Sequence, residues 1–269
     1  PARTLPLVWP REVEGTLALL NGKPELVSHI VTAIHLDMVG GSTETEAIFH
    51  ITRGPSSLPS FIYDVADSIG EFVNQQTGEF ASTGSATFPL YSAEGEKRAL
   101  QAAFANFSMG SDHEIYSDSS FGIPAIYFND WPDRYIHTNY DTPANIDPTK
   151  LKRAAFLAAG SAYYLSNLTQ PSEPLITVME SASLKRMSKA FGSDNKDATR
   201  FQLWHERAVF DSLEKYFAVS ADTKNRFSDF IAKIQDLKKG EASLPQPSGD
   251  AAIVFSRNAK VKGPMVVFE

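Results

Sequence analysis

The chemistry-bearing residues of this 269-residue chain fall in four places: Glu12 and Glu14, Asp37, the segment Gly110-Ser111-Asp112-His113, and the stretch from Asp130 to Thr142. Carboxylates and imidazoles move protons near neutral pH and are the oxygen and nitrogen donors that hold zinc. The chain has no cysteine, which excludes a thiol nucleophile, a disulfide scaffold and any thiolate metal site. A metal here must therefore be held by His, Asp and Glu. Asp37 interrupts the apolar run from Ala33 to Gly41, and a carboxylate buried there is costly unless it is paired or binds a metal. Singly, each group has a structural reading: Asp37 paired with an arginine, Asp141 organising the turn before a helix. Together, an acid at a strand end, a Ser-Asp-His and His137-Thr138-Asn139-Tyr140-Asp141-Thr142 are far more specific. A Gly-x-Ser-x-Gly elbow, a phosphate-binding glycine loop and a complete His-Glu-x-x-His are all absent. His113-Glu114 and His205-Glu206 begin the last pattern without its second histidine, and His205 reads as a surface or packing residue.

The elements that must position these groups are legible as periodicities. Strands are expected at 4–9, 31–39, 46–52 and 122–128; the second and fourth are nearly continuous apolar runs, as in strands covered on both faces. Helices are expected at 58–76, where Phe61, Val65, Ile69 and Val73 recur every four residues, at 96–107 and at 147–168. The last has Asp147 as N-cap, Pro148 at N1, and Leu151, Ala155, Ala158 and Leu165 on one side. Alternating strands and helices predict an α/β fold, a three-layer sandwich around a mostly parallel mixed sheet of the phosphorylase/hydrolase-like kind. Ligands in such sheets bind beyond the carboxyl ends of strands, where these polar residues cluster.

Gln170-Pro171-Ser172-Glu173-Pro174 is a break, so residues 1–169 and 170–269 are expected to be a sheet domain and a helical extension. In the extension Leu203, Phe210, Leu213 and Phe217 form one apolar face, and Phe227, Phe230, Ile234 and Leu237 another. Residues 240–250 read as a turn-rich linker and 265–268 as a strand. Apolar runs at both ends of the chain read as edges cut from something longer, since termini are usually polar and loosely held. The charge of −7, from 25 Lys+Arg and 32 Asp+Glu, argues against a nucleic-acid groove. There is no uncharged apolar run of membrane-spanning length.

Leu36-Asp37-Met38-Val39-Gly40, Gly110-Ser111-Asp112-His113 and His137-Thr138-Asn139-Tyr140-Asp141-Thr142 resemble, in order and spacing, the zinc aminopeptidase family. That family includes secreted bacterial aminopeptidases, glutamate-carboxypeptidase-type enzymes and the single-zinc glutaminyl cyclase. The resemblance covers roughly residues 1–168. It implies one or two zinc ions, a peptide substrate and a secreted or periplasmic location. By resemblance Asp37 and His137 are zinc ligands and Glu12, three residues before Gly15, is the general base. Asp112, His113, Tyr135 and Asp141 would bind substrate or orient ligands.

Three departures qualify this. The family's second glutamate, a zinc ligand, is Val13 here; whether Glu14 replaces it or Glu12 itself binds metal is open. The position before the closing histidine, often tyrosine, is Ile136. The family's upstream His-x-Asp segment has no counterpart before Trp9. The resemblance therefore implies a zinc exopeptidase of which this chain carries part, the missing half of the domain lying in the same precursor or in another chain. The competing reading is a degenerate relative that binds peptides or partners through the same cleft. A glutaminyl-cyclase-like acyltransferase is less favoured, because nothing in the sequence indicates its pocket. The helical extension carries no readable motif and is expected to cap the cleft or to build an oligomer contact.

Overall fold

The computed structural model describes residues 2–192 and 195–237. They divide into two compact units, one holding residues 2–58 and 65–167, the other 59–64 and the helical residues after 168. The expected linker at 240–250 and strand at 265–268 lie outside the described residues.

The first unit is built on a four-stranded mixed sheet: β1 (Ala33–Asp37), β2 (Ile48–Thr52), β3 (Ala103–Ala105) and β4 (Ala125–Trp131), in the order β1-β4-β2-β3. β1 runs parallel to β4 and β2 parallel to β3, while β2 and β4 are antiparallel. The helices of this unit are α1 (Glu14–Gly22), α2 (Pro24–Val27), most of α3 (Phe61–Thr83), α4 (His113–Ser117) and α5 (Pro148–Asn167). This is the expected α/β sandwich with a largely parallel sheet. β4 is the central strand, and all of its residues but Trp131 are buried. α3 approaches β2 so closely that a Cβ on Gly70 would sit 2.1 Å from the Ile51 side chain. α5 starts as expected: Asp147 accepts hydrogen bonds from the amides of Thr149 (3.1 Å) and Lys150 (2.9 Å), satisfying donors the first turn leaves open. Lys150 then reaches Asp130 of β4 at 2.6 Å, tying α5 to the sheet.

Three expectations are corrected. Residues 4–9 form no strand with any described residue, and Leu5, Leu7, Val8 and Trp9 are exposed; an apolar run becomes a strand only where a neighbour takes its amides and carbonyls. Residues 96–107 are not a helix. Their amides are taken by α3 and the sheet: Asn74 brackets Ala102 with two hydrogen bonds (2.7 and 2.9 Å), Thr77 accepts from the Leu100 amide, and Ala103–Ala105 pairs with β2. Tertiary partners outweigh helical propensity. On α5 the buried face is Ala154, Leu157, Ser161 and Leu165, rather than the one containing Leu151 and Ala155. Leu151 instead covers Gly40, whose φ of +93° and whose lack of a Cβ let the two backbones approach.

The second unit holds α6 (Glu173–Phe191), α7 (Lys196–Asp211), a 3-10 turn Ser212–Lys215, α8 (Ala221–Leu237) and the first turn of α3. Ser172 caps α6 and Asn195 caps α7 through the amides two or three residues on. Leu203, Phe210, Leu213, Phe227 and Ile234 are buried in its core, Phe210 stacked on Phe227 at 4.1 Å. Arg186 of α6, itself partly exposed, lies between two buried carboxylates, Asp64 and Glu206, with 2.7 Å bonds to both oxygens of the latter. No described helix is long and apolar enough to cross a membrane.

Candidate functional site

The parallel register of β1 and β4 places Asp37 opposite Asn129 and His35 opposite Tyr127, so the acid stands at the carboxyl end of β1. Strand alternation puts His35 and Asp37 on one face of the sheet. Ser111, fully buried at the start of the α4 turn, joins them: its hydroxyl donates to Asp37 Oδ2 at 2.9 Å and lies 2.7 Å from His35 Nε2. A hydroxyl has one proton, so His35 must donate Nε2–H to Ser111, which assigns the neutral tautomer with Nδ1 bare. Burial lowers the His35 pKa despite the opposing negative charges of Asp112, Asp37 and Glu12.

Asp112 does a different job from its neighbour. Its Oδ1 accepts the Val13 amide at 2.6 Å, fixing the backbone next to Glu12. Val13 has φ 58°, a conformation that a β-branched side chain adopts only at a cost. The same left-handed backbone recurs at Met38, which follows Asp37, and at His137 itself. Three of the chain's rare positive-φ non-glycine residues thus sit at or beside Glu12, Asp37 and His137, as expected where the surrounding fold forces functional groups into place.

Behind these acids lies an aromatic layer. Tyr127, His113 and His35 cluster, with centroids 4.1 Å apart for Tyr127 and His113, 5.1 Å for Tyr127 and His35 and 6.0 Å for the two imidazoles, and Phe107 is edge-on to His113. Burial, with the charges of Asp37 and Glu12, raises the Tyr127 hydroxyl well above the usual phenol range and keeps it protonated. His113 donates Nε2–H to the Ser108 carbonyl at 2.6 Å, and burial depresses its pKa to about 4. Glu114 is buried too; burial raises its pKa while one oxygen accepts the Gly110 amide at 2.7 Å.

The depressed His113 pKa has a consequence for stability. The unfolded chain takes up this proton near pH 6.5 and the folded one only near 4, so the unfolded state binds more protons between them. Stability present above pH 6.5 is lost as the pH falls toward 4, by at most about 3 kcal/mol. His113→Phe, which keeps the stack, is expected to flatten this part of the pH profile in urea unfolding; an unchanged slope would show that other groups carry it.

The remaining candidates make no side-chain hydrogen bond or ion pair with this cluster among the described residues. Glu14 opens α1 and pairs with the exposed Arg11 at 2.9 Å. It is therefore not the extended i+2 neighbour of Glu12 that a continuing strand would give. His137, Tyr135 and Asp141 belong to the loop after β4, where His137 and Asp141 are exposed. Tyr135 packs near Tyr140 and under the Arg134 guanidinium, and the Asp141 amide bonds to the Thr138 carbonyl. Among the described residues no hydrogen bond or ion pair joins any of these three to Glu12 or Asp37. No group of three or more His, Asp or Glu side chains there is placed to hold a metal. Asp37 keeps its second oxygen available and has the right donor chemistry for zinc, but the donor count is short.

Sequence reasoning passed over His35, Ser111 and Tyr127 as members of the site. The signal for His35 was available, since it stands two residues before Asp37 on a strand. Ser111 stands inside the Gly110–His113 motif, where residue type alone indicates no role. Tyr127 needed the register.

Neither a curated protein nor a solved structure matches the chain. A family model, that of peptidase family M28, matches residues 13–162, more than half of the chain and the stretch that contains Asp37, Ser111, Asp112 and His137. The chain belongs to peptidase family M28, the co-catalytic metallopeptidases, whose members generally use zinc.

Proposed function

We propose that the chain carries part of the active site of a zinc-dependent exopeptidase that removes N-terminal residues from peptides. In this reading Asp37 and His137 are metal donors, and Glu12 is the base that takes a proton from the attacking water. Zinc, when bound, would polarise the scissile carbonyl and acidify that water. Ser111 holds Asp37 in one orientation, leaving the other oxygen for the cation. Asp112 holds the backbone that presents Glu12. The buried, protonated Tyr127 and neutral His35 form a floor that adds no competing charge. The observation that carries the reading is the Ser111-held Asp37 at the end of a parallel strand, whose charge acts with that of Glu12 on the same two residues, His35 and Tyr127.

The rest of the donor set would come from polypeptide added along β1. This strand is the edge of the described sheet, and its residues are half-exposed although its sequence is that of a strand covered on both faces. An added strand ending in a His-x-Asp pair would supply donors that the described residues do not bring together. A second reading, a non-catalytic peptide-binding relative, is favoured by the short donor count and by Val13 and Ile136.

The two readings part on zinc content and turnover, measured on the full-length protein with its completing segment. Bound zinc with release of N-terminal residues supports the peptidase; a metal-free, inactive protein supports the second reading. His137→Ala is expected to abolish zinc retention, and an unchanged zinc stoichiometry would refute its assignment as a ligand.

A further inference from the structure

The C-terminal end of α7, the turn after it and α8 surround a cavity of about 320 Å³. It lies wholly within the helical unit, outside the family-matched residues. Its floor is apolar, formed by the stacked rings of Phe210 and Phe227 and by Ile231, all buried. Its charged residues are of both signs. Lys224 and Glu214 neutralise each other at 2.9 Å. Arg207 and Asp211, both exposed, stand one turn apart on α7; no direct ion pair joins them, although the Arg207 charge acts on the Asp211 carboxylate. Burial, with Glu214, pushes the Asp211 carboxyl up, while Arg207 and Lys224 oppose that. The cavity thus offers an exposed cation, an exposed anion and an aromatic surface, with a volume at the low end of small-molecule sites.

We propose that this cavity binds a small zwitterion with an apolar side chain, an α-amino acid or dipeptide. Its carboxylate would meet Arg207, its ammonium Asp211, and its side chain the Phe210–Phe227 surface. A plain anion would face Asp211 and Glu214, and a plain cation would face Arg207 and Lys224. A neutral apolar molecule would take water from the Arg207 and Asp211 charges without replacing it. Only a ligand bearing both charges meets both needs at once. The proposal stands without the exopeptidase reading, since it requires no catalysis, although free amino acids and dipeptides are also what a peptidase of that class would release.

The test is a titration of the full chain with L-phenylalanine, followed by amide NMR shifts. Saturating shifts confined to α7, the turn and α8 are expected, with a Kd of ~1 mM, ordinary for so small a ligand. Arg207→Gln and Asp211→Asn, both surface changes, should each weaken binding at least tenfold without moving the thermal midpoint. Phenethylamine and 3-phenylpropanoate, each lacking one charge, should also bind at least tenfold more weakly. Shifts that rise linearly without saturation, variants that bind as tightly as wild type, or single-charge analogues that bind as well as phenylalanine would each overturn the proposal.

Discussion

Glu12→Gln is expected to leave zinc bound to the assembled enzyme while lowering kcat by about 10²–10⁴-fold, the range for losing a positioned general base. Glutamine keeps the size and hydrogen bonding of the side chain but cannot accept the proton of the attacking water. The geometry makes this a clean substitution. Glu12 is exposed, so no core packing is disturbed, and its position is set by the backbone, through the bond from Asp112 to the Val13 amide. KM should change little, because the loss falls on the chemical step. The check is steady-state kinetics on an N-terminal-residue substrate together with metal analysis. Retained turnover would remove Glu12 from the mechanism, and loss of zinc would make it a ligand.

Arg186→Met is expected to destabilise the helical unit by about 3–5 kcal/mol, the usual cost of breaking a buried ion pair from one side. The arginine fits between Asp64 and Glu206, both almost inaccessible to water. Burial alone would lower the Arg186 pKa, but the two carboxylates more than reverse this and keep it charged. Burial alone would likewise raise Glu206; its bonds to Arg186 and His205 bring it down to about 2. Methionine matches the stem of arginine and removes only the charge, leaving two desolvated carboxylates facing each other. A urea titration at pH 7 reads the loss. The gap between variant and wild type should narrow as the pH falls and the orphaned carboxylates take up protons. Replacing Asp64, Arg186 and Glu206 together by apolar residues of similar size should recover most of the stability, because the desolvation cost then disappears as well.

The sequence made the sheet legible where hydrophobicity was continuous. Ala33–Asp37 and Ala125–Trp131 are such strands, the less apolar Ile48–Thr52 is one too, and Asp147-Pro148 marks the start of α5, because those signals are local. It misled where a distant partner decides the outcome. Leu5 to Trp9 read as an apolar strand but find no neighbour among the described residues, and 96–107 gives its amides to Asn74, Thr77 and β2 rather than to a helix. The site shows the same division. Asp37 and the Gly110–His113 motif stood out by residue type, and Asp112 by resemblance. The Asp37–Ser111–His35 chain and the Tyr127 stack depend on which residue faces which across β1 and β4, and no single-strand pattern encodes that. The departure at Val13 was visible as a missing glutamate. That the valine would also hold a left-handed backbone was not.

That valine sets a trade-off for anyone engineering a hardier version of this protein. Glycine at position 13 would relieve the unfavourable torsion, and on that count alone would raise the melting temperature. It would also let the segment carrying the neighbouring glutamate swing through a wider arc, so durability would be gained at the expense of aim. Thermostability selection without a catalytic screen would favour the change, and the resulting catalyst would be robust and slow.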